Sequence, residues 1–349
     1  MAHSPLSAQS VTIQPPPAQA SGGRLRSYLE FILAVLVYFM AQSMARHTVA
    51  RLNIAWQPLA QQAIVLFLLI IVFAALGLVL DRQSNPVAQQ GFPFRGGWTS
   101  EAALGLVAGW GAVLACVLPL ALFGGIAIVL NTQLAAWGWL LADALFFVFA
   151  AMVEEVAFRG YGFQRFESVV GPIGASLGFA AFYAILMSFH PGASRLSILI
   201  SVVFSLVLSL AYVRTRALWL SWGINFAWKA GRAILFGLTV SGVSSHSSVI
   251  EGDPMGPLWL TGGGYGLDAS WLGLAVLLAA FPVVYRLTRD LDFRYNVPVL
   301  VPGGIPVDID AAARRQHEAA MGEPVAPPLV QILPAASPAP PTEPPQDTH

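Results

Sequence analysis

The stretch ALFFVFAAMVEEVAFRGYGFQRFE, residues 144–167, decides how the chain is read. Ten apolar residues lead into two adjacent carboxylates, Glu154 and Glu155, then Arg159, and the run ends in a charged turn at Arg165–Glu167. Extended back to residue 134, the run exceeds the roughly 20 residues that cross a hydrocarbon core as a helix. Charges within such a helix cost roughly 2.5–3.5 kcal/mol each on insertion scales, so they are functional candidates. With the helix running to residue 166, Glu154 sits eleven residues above the charged turn. At 1.5 Å per residue that is roughly 16 Å of depth. Glu155 and Arg159 are spaced i,i+4 and can pair along one face. Glu154 is rotated about 100° from Glu155 and has no such partner. A surplus buried carboxylate is protonated, paired elsewhere, or working as a base. Asp143 projects on nearly the same side as Glu154.

The surroundings fit a membrane. Of the 349 residues, 56% are hydrophobic and 10% are charged, and the mean hydropathy is +0.67. Soluble domains carry nearer 25% charged residues, which excludes a water-soluble enzyme. Eighteen basic residues balance eighteen acidic ones, so no net field recruits nucleic acid. Lys229 is the only lysine, and the single Cys116 excludes an intrachain disulfide and a Cys-based zinc cluster. Eight apolar segments lie at about 28–45, 61–80, 102–123, 134–166, 172–189, 196–213, 217–236 and 270–287. Lipid leaves an unpaired backbone group no partner, so these must be helices. The predicted fold is an all-α, polytopic transmembrane bundle of about eight spans over residues 25–290. A disordered tail precedes it at 1–24, and a Pro/Ala-rich one follows at 302–349.

Arginine placement orients the bundle. With the N-terminus inside, the inner side receives Arg24, Arg26, Arg82, Arg95, Arg165, Arg214, Arg216, Arg286, Arg289 and Arg294. The outer side receives Arg46, Arg51 and Arg195, and the loop 237–269 holds no Lys or Arg. Ten against three predicts both termini in the cytoplasm. Arg-over-Lys usage fits a bacterial inner membrane, with membrane lipids as the obligatory partners.

The string EEVAFRG, Glu154 to Gly160, resembles the EExxxR motif of the CAAX protease and bacteriocin-processing (Abi) family of intramembrane proteases. RFESVVGP, Arg165 to Pro172, resembles that family's basic turn and the Gly-Pro opening of its next helix. ALWLSWGINFAWKA, Ala217 to Ala230, looks like its third motif. The similarity covers about 135–235. It implies a helical bundle enclosing a polar cavity, and hydrolysis of a membrane-associated or lipidated peptide. It also implies that Glu154 activates water, together with a His on the next helix. A second His and an Asn would hold the water, or a zinc ion, and stabilise the oxyanion.

Aligned on the first Glu, the family's first His position is Met187. The second His position is Asn225, and the Asn position is Lys229. His190, three residues beyond Met187, either replaces the missing His or simply ends its helix before Pro191. The mapped positions offer no His to a catalytic zinc, which wants three protein ligands. Three readings follow. One is an endopeptidase using Glu154, Glu155, Arg159, His190 and Asn225. Another is a non-catalytic scaffold or regulator on the same fold. The third is a small transporter, against which the resemblance argues. An unpaired Lys229 ammonium inside a membrane helix must deprotonate or find an anion. The spacing and the resemblance together predict an ion pair with Glu154, which would occupy the water site. Arg232 is a rival partner for Glu154, and Asp143 for Lys229.

Overall fold

The computed structural model describes residues 21–130, 133–243, 250–289 and 291. The chain divides into Met1–Asn296 and Val297–His349, and all described residues lie in the first part. The eight apolar segments all fall on helices, the fourth divided between two of them, and ten α-helical elements are described. In order these are α1 (Ser21–Val49), α2 (Gln57–Val79), a single turn α3 (Pro86–Gln89), α4 (Trp98–Leu122), α5 (Leu134–Arg159), α6 (Tyr161–Ser188), α7 (Arg195–Thr215), α8 (Leu218–Ala230), a second single turn α9 (Leu258–Thr261) and α10 (Trp271–Leu287). The first turn of α1 takes in residues 21–24, the end of the expected N-terminal tail. The rest of that tail and the C-terminal one lie outside the described residues.

Five helical stretches are long and apolar enough to cross a membrane: 23–49, 57–79, 98–122, 136–188 and 195–215, with the shorter apolar helix 271–287 beside them. Apolar side chains such as Phe67, Val107 and Ile173 stand exposed on these helices, as hydrocarbon requires. This is an integral membrane protein.

The sequence reading misplaced one boundary. Helix α5 ends at Arg159, not at 166, because Gly160 turns the chain (φ −79°, ψ −139°). A Cβ on Gly160 would stand 2.3 Å from the carbonyl oxygen of Val156. Glu154 is therefore five residues from its helix end, roughly 8 Å along the axis. The charged turn becomes the first part of α6, which kinks at Gly171 (φ 78°) before Pro172 restarts it. A small sheet was also not read from the sequence. Strand β1 (Ile126–Leu130) pairs antiparallel with β2 (Ile250–Pro254), with Ile126 opposite Pro254 and Leu130 opposite Ile250. The β-branched IAIVL run suits a strand.

The buried apolar residues form two main clusters. One joins α1, α2, α5 and α6 around Leu69, Phe73, Phe158 and Phe179. The other joins α4, α7, α8 and α10 around Val117, Phe204, Leu208 and Trp228. Helix α8 is held by close approach to α4. A Cβ on Gly105 would meet the Leu220 carbonyl oxygen at 2.3 Å, and one on Gly223 would meet that of Ala102 at 2.5 Å. Small residues at a crossing let two membrane helices touch backbone to backbone.

The two ends of the bundle are tied differently. At one end Arg165 meets Asp81 at 3.0 Å, Arg216 meets Glu167 at 2.8 Å, and Arg26 donates to the Leu80 carbonyl. At the other, the sheet joins the connections on either side of it, and the Gly242 amide donates to Tyr265 at 3.2 Å.

The α4–α8 contact generates a paired test. Gly105→Ala and Gly223→Ala should each lower the unfolding midpoint in detergent, at a cost of about 1–3 kcal/mol of overpacking. Gly111→Ala, on the same helix with nothing within 4 Å of its would-be Cβ, should leave it unchanged. Equal effects at all three would contradict the packing.

Candidate functional site

Helix α5 delivers Glu154, Glu155 and Arg159 near its C-terminus, and α8 delivers Asn225 and Lys229 one turn apart. The two helices face each other through these side chains. Glu155 and Arg159 are buried, with side-chain exposures of 0% and 1%, and the guanidinium Nη1 lies 3.6 Å from Glu155 Oε1. The same guanidinium donates through Nη2 to Ser205 on α7, to its carbonyl oxygen at 2.8 Å and its Oγ at 2.9 Å. Arg159 thus ties α5 to α7 as well as neutralising Glu155.

Asn225 bridges the two carboxylates. Its Nδ2 donates to Glu154 Oε2 at 3.0 Å and to Glu155 Oε1 at 2.9 Å. Both donations fix the amide orientation, since the flipped form would set an oxygen against two carboxylates. The Lys229 ammonium donates to the other oxygen, Glu154 Oε1. Both Glu154 oxygens are therefore engaged by donors from α8. Glu154 and Lys229 keep side-chain exposures of 22% and 12%, because they stand on a cavity wall.

That cavity measures about 310 Å³ and is lined by Tyr38 and Gln42 of α1, Gln62 of α2, Asp143, Phe146, Phe147 and Glu154 of α5, Tyr183 and Met187 of α6, His190, Lys229 and Ser241. A second cavity of about 260 Å³ shares Tyr38, Gln42, Glu154, Tyr183, Met187 and His190. It reaches Phe39 of α1 and Leu186 of α6, and Phe39 is 44% exposed. The second cavity also touches Arg46 of α1 and Gln61 of α2.

Every residue singled out from the sequence falls in one neighbourhood, with one exception. Met187 and His190 line the same cavities as Glu154, and Asp143 is buried on the cavity wall. Arg232 does not approach Glu154. It occupies a π-helical turn (Gly231–Leu235) that follows α8, and its Nη1 donates to Asp268 at 2.8 Å while its guanidinium lies over the Trp228 ring, 4.4 Å from the centroid. Asp268 also accepts from Ser241, from its amide at 3.1 Å and its hydroxyl at 2.9 Å.

Burial alone would raise the Asp268 carboxyl. Arg232 and Ser241 outweigh it and hold the group below the usual carboxylate range. The stability this linkage contributes is present above the unfolded value and is lost as pH falls through the lowered one. Asp268 was missed because it lies in a Gly-rich loop, GGGYGLDAS, without periodicity. The available signal was the need of a membrane-embedded Arg232 for an anion, and Asp268 directly precedes the last apolar segment.

The donor set does not fit a catalytic zinc ion. One carboxylate carries an ammonium, the other a guanidinium, and both share an amide. Among the described residues no three His, Cys, Asp or Glu side chains gather as a metal site.

Residues 136–231, from α5 to the start of the π-helical turn, match the family of Rce1-like type II CAAX prenyl endopeptidases. No curated protein and no solved structure matches the chain. Over that segment, a little over a quarter of the chain, the protein is similar to this family.

The burial of the two carboxylates differs enough to rank their removal. Arg159→Ala strands Glu155 in the interior and should cost about 3–5 kcal/mol of stability. Glu154→Gln, on the cavity wall, should cost clearly less. Thermal unfolding in detergent reads both, and the reverse order would contradict the assignment of Glu155–Arg159 as the structural pair.

Proposed function

We propose that the protein is a CAAX-endopeptidase-type membrane protein whose cavity binds an apolar, membrane-associated ligand, such as a lipidated peptide tail, without hydrolysing it. One observation carries this reading: the Lys229 ammonium and the Asn225 amide occupy the two oxygens of Glu154. A hydrolytic water would need one of those oxygens as its proton acceptor, and here it would have to compete with the Lys229 ammonium on one and the Asn225 amide on the other. Met187, at the first mapped histidine, is a thioether and takes no proton from water. The protein would then act as a scaffold or regulator that recognises what its proteolytic relatives cut.

A second reading, an active endopeptidase, is favoured by the position of His190. It lines both cavities with Glu154, close enough in the fold to serve in place of residue 187 after a small shift of the α6 end.

Peptide cleavage separates the two. The purified protein in liposomes should leave a prenylated CAAX peptide intact. The triple substitution Met187→His, Asn225→His and Lys229→Asn restores the family's residues and should gain cleavage that is lost again with Glu154→Gln. Cleavage by the unmodified protein that disappears in Glu154→Gln or His190→Ala would overturn the non-catalytic reading.

The orientation belongs to the same proposal: a bacterial inner membrane with both termini in the cytoplasm. The gathering of Arg26, Arg165 and Arg216 at one end of the bundle supports it. Reporter fusions after residue 302 should give a cytoplasmic signal, and fusions within 243–256 should not. A cytoplasmic signal from 243–256 would reverse the orientation.

A further inference from the structure

We propose that Lys229 is a covalent attachment point for a long-chain apolar aldehyde, held as a Schiff base with Glu154 as its counter-ion. The chain has one lysine in 349 residues, and that lysine stands on the wall of a membrane-embedded cavity. Its position demands an explanation beyond charge balance. An arginine, of which this chain uses seventeen, neutralises a carboxylate equally well and is not a nucleophile at nitrogen. Amines in apolar pockets form Schiff bases with carbonyl compounds.

Three features of the site match that chemistry. The carboxylate that must take the ammonium proton is already bonded to it. Part of the wall around it is aromatic, with Tyr38, Phe146, Phe147 and Tyr183 lining the space beside polar Gln42, Gln62 and His190. The adjoining cavity, which shares Glu154 with it, reaches Phe39 of α1 and Leu186 of α6 as well as the polar Arg46 and Gln61.

The step balances without any oxidant or reductant. The ammonium proton passes to Glu154, and the freed lone pair attacks the aldehyde carbon, giving a carbinolamine. Water then leaves with the former carbonyl oxygen, forming the C=N bond, and the proton on Glu154 returns to the imine nitrogen. The starting ion pair is replaced by an iminium–carboxylate pair of the same net charge, so the buried electrostatics are preserved. Asn225 holds the other Glu154 oxygen throughout.

The inference rests on the reading above in one respect: Lys229 is the resting partner of Glu154. The test incubates the detergent-solubilised protein with dodecanal or all-trans-retinal, reduces with sodium borohydride, and locates the adduct by peptide mass. We expect a visible red shift of the retinal adduct before reduction, labelling on Lys229 after it, competition by retinol, and much weaker labelling by propanal. Lys229→Ala combined with Glu154→Gln removes both charges together, so the protein stays folded while the adduct is lost. An intact, folded protein with no adduct on Lys229 overturns this inference and leaves the non-catalytic reading standing. An adduct alongside Glu154-dependent cleavage overturns that reading and supports this one. Labelling that is equal for propanal and dodecanal, or that survives denaturation unchanged, shows ordinary amine reactivity and also overturns it.

Discussion

Two carboxylates on consecutive residues of one membrane helix set the terms for everything packed around them. Neither can remain ionised in a low-dielectric interior without a partner, and a shared partner cannot satisfy both. The chain answers with three groups on three sides. Arg159, one turn along α5, neutralises Glu155 and reaches Ser205 on α7. Asn225 on α8 donates to both acids. Lys229, one turn further, takes the remaining oxygen of Glu154. Polar groups therefore cross-link α5, α7 and α8, where lipid provides no hydrophobic force to press helices together.

This arrangement works only if α8 is fixed in rotation and height. Gly105 and Gly223 set its distance from α4, and the π-helical turn after Ala230 ends it with Arg232 turned away from the acids and onto Asp268. Two cations within four residues, Lys229 on the cavity wall and the buried Arg232, thus serve separate anions on different elements. Asp268 also holds Ser241, which lines the cavity, so the Arg232–Asp268 pair is tied to the cavity wall by a hydrogen bond. The same connectivity frames the cavity, with Glu154, Phe146 and Phe147 of α5 and Lys229 of α8 facing Tyr38, Gln42, Tyr183 and His190.

Much of this was legible in the sequence because membrane helices are written in long apolar runs and buried charges are rare enough to be paired by inspection. The i,i+4 spacing of Glu155 and Arg159, and the single lysine two positions before Gly231, pointed to the groups that meet. What was not legible was geometry that glycine controls. The apolar pattern runs through Gly160 without interruption, so the end of α5 was read seven residues late and Glu154 too deep. Gly171 breaks α6 through a positive φ that hydropathy does not register. The β1–β2 pairing joins residues more than a hundred positions apart and could not be read from two five-residue runs. Asp268 was hidden for the same reason: its partner is fixed by a loop that carries no periodic signal.

The account depends on Glu154 and Lys229 acting as one unit across α5 and α8. A double-mutant cycle of Lys229→Ala and Glu154→Gln, read by unfolding in detergent, tests this directly. Lys229→Ala alone should destabilise the protein, and adding Glu154→Gln should recover much of the loss, a coupling of about 1–3 kcal/mol. Additive losses, with no recovery in the double variant, would contradict it.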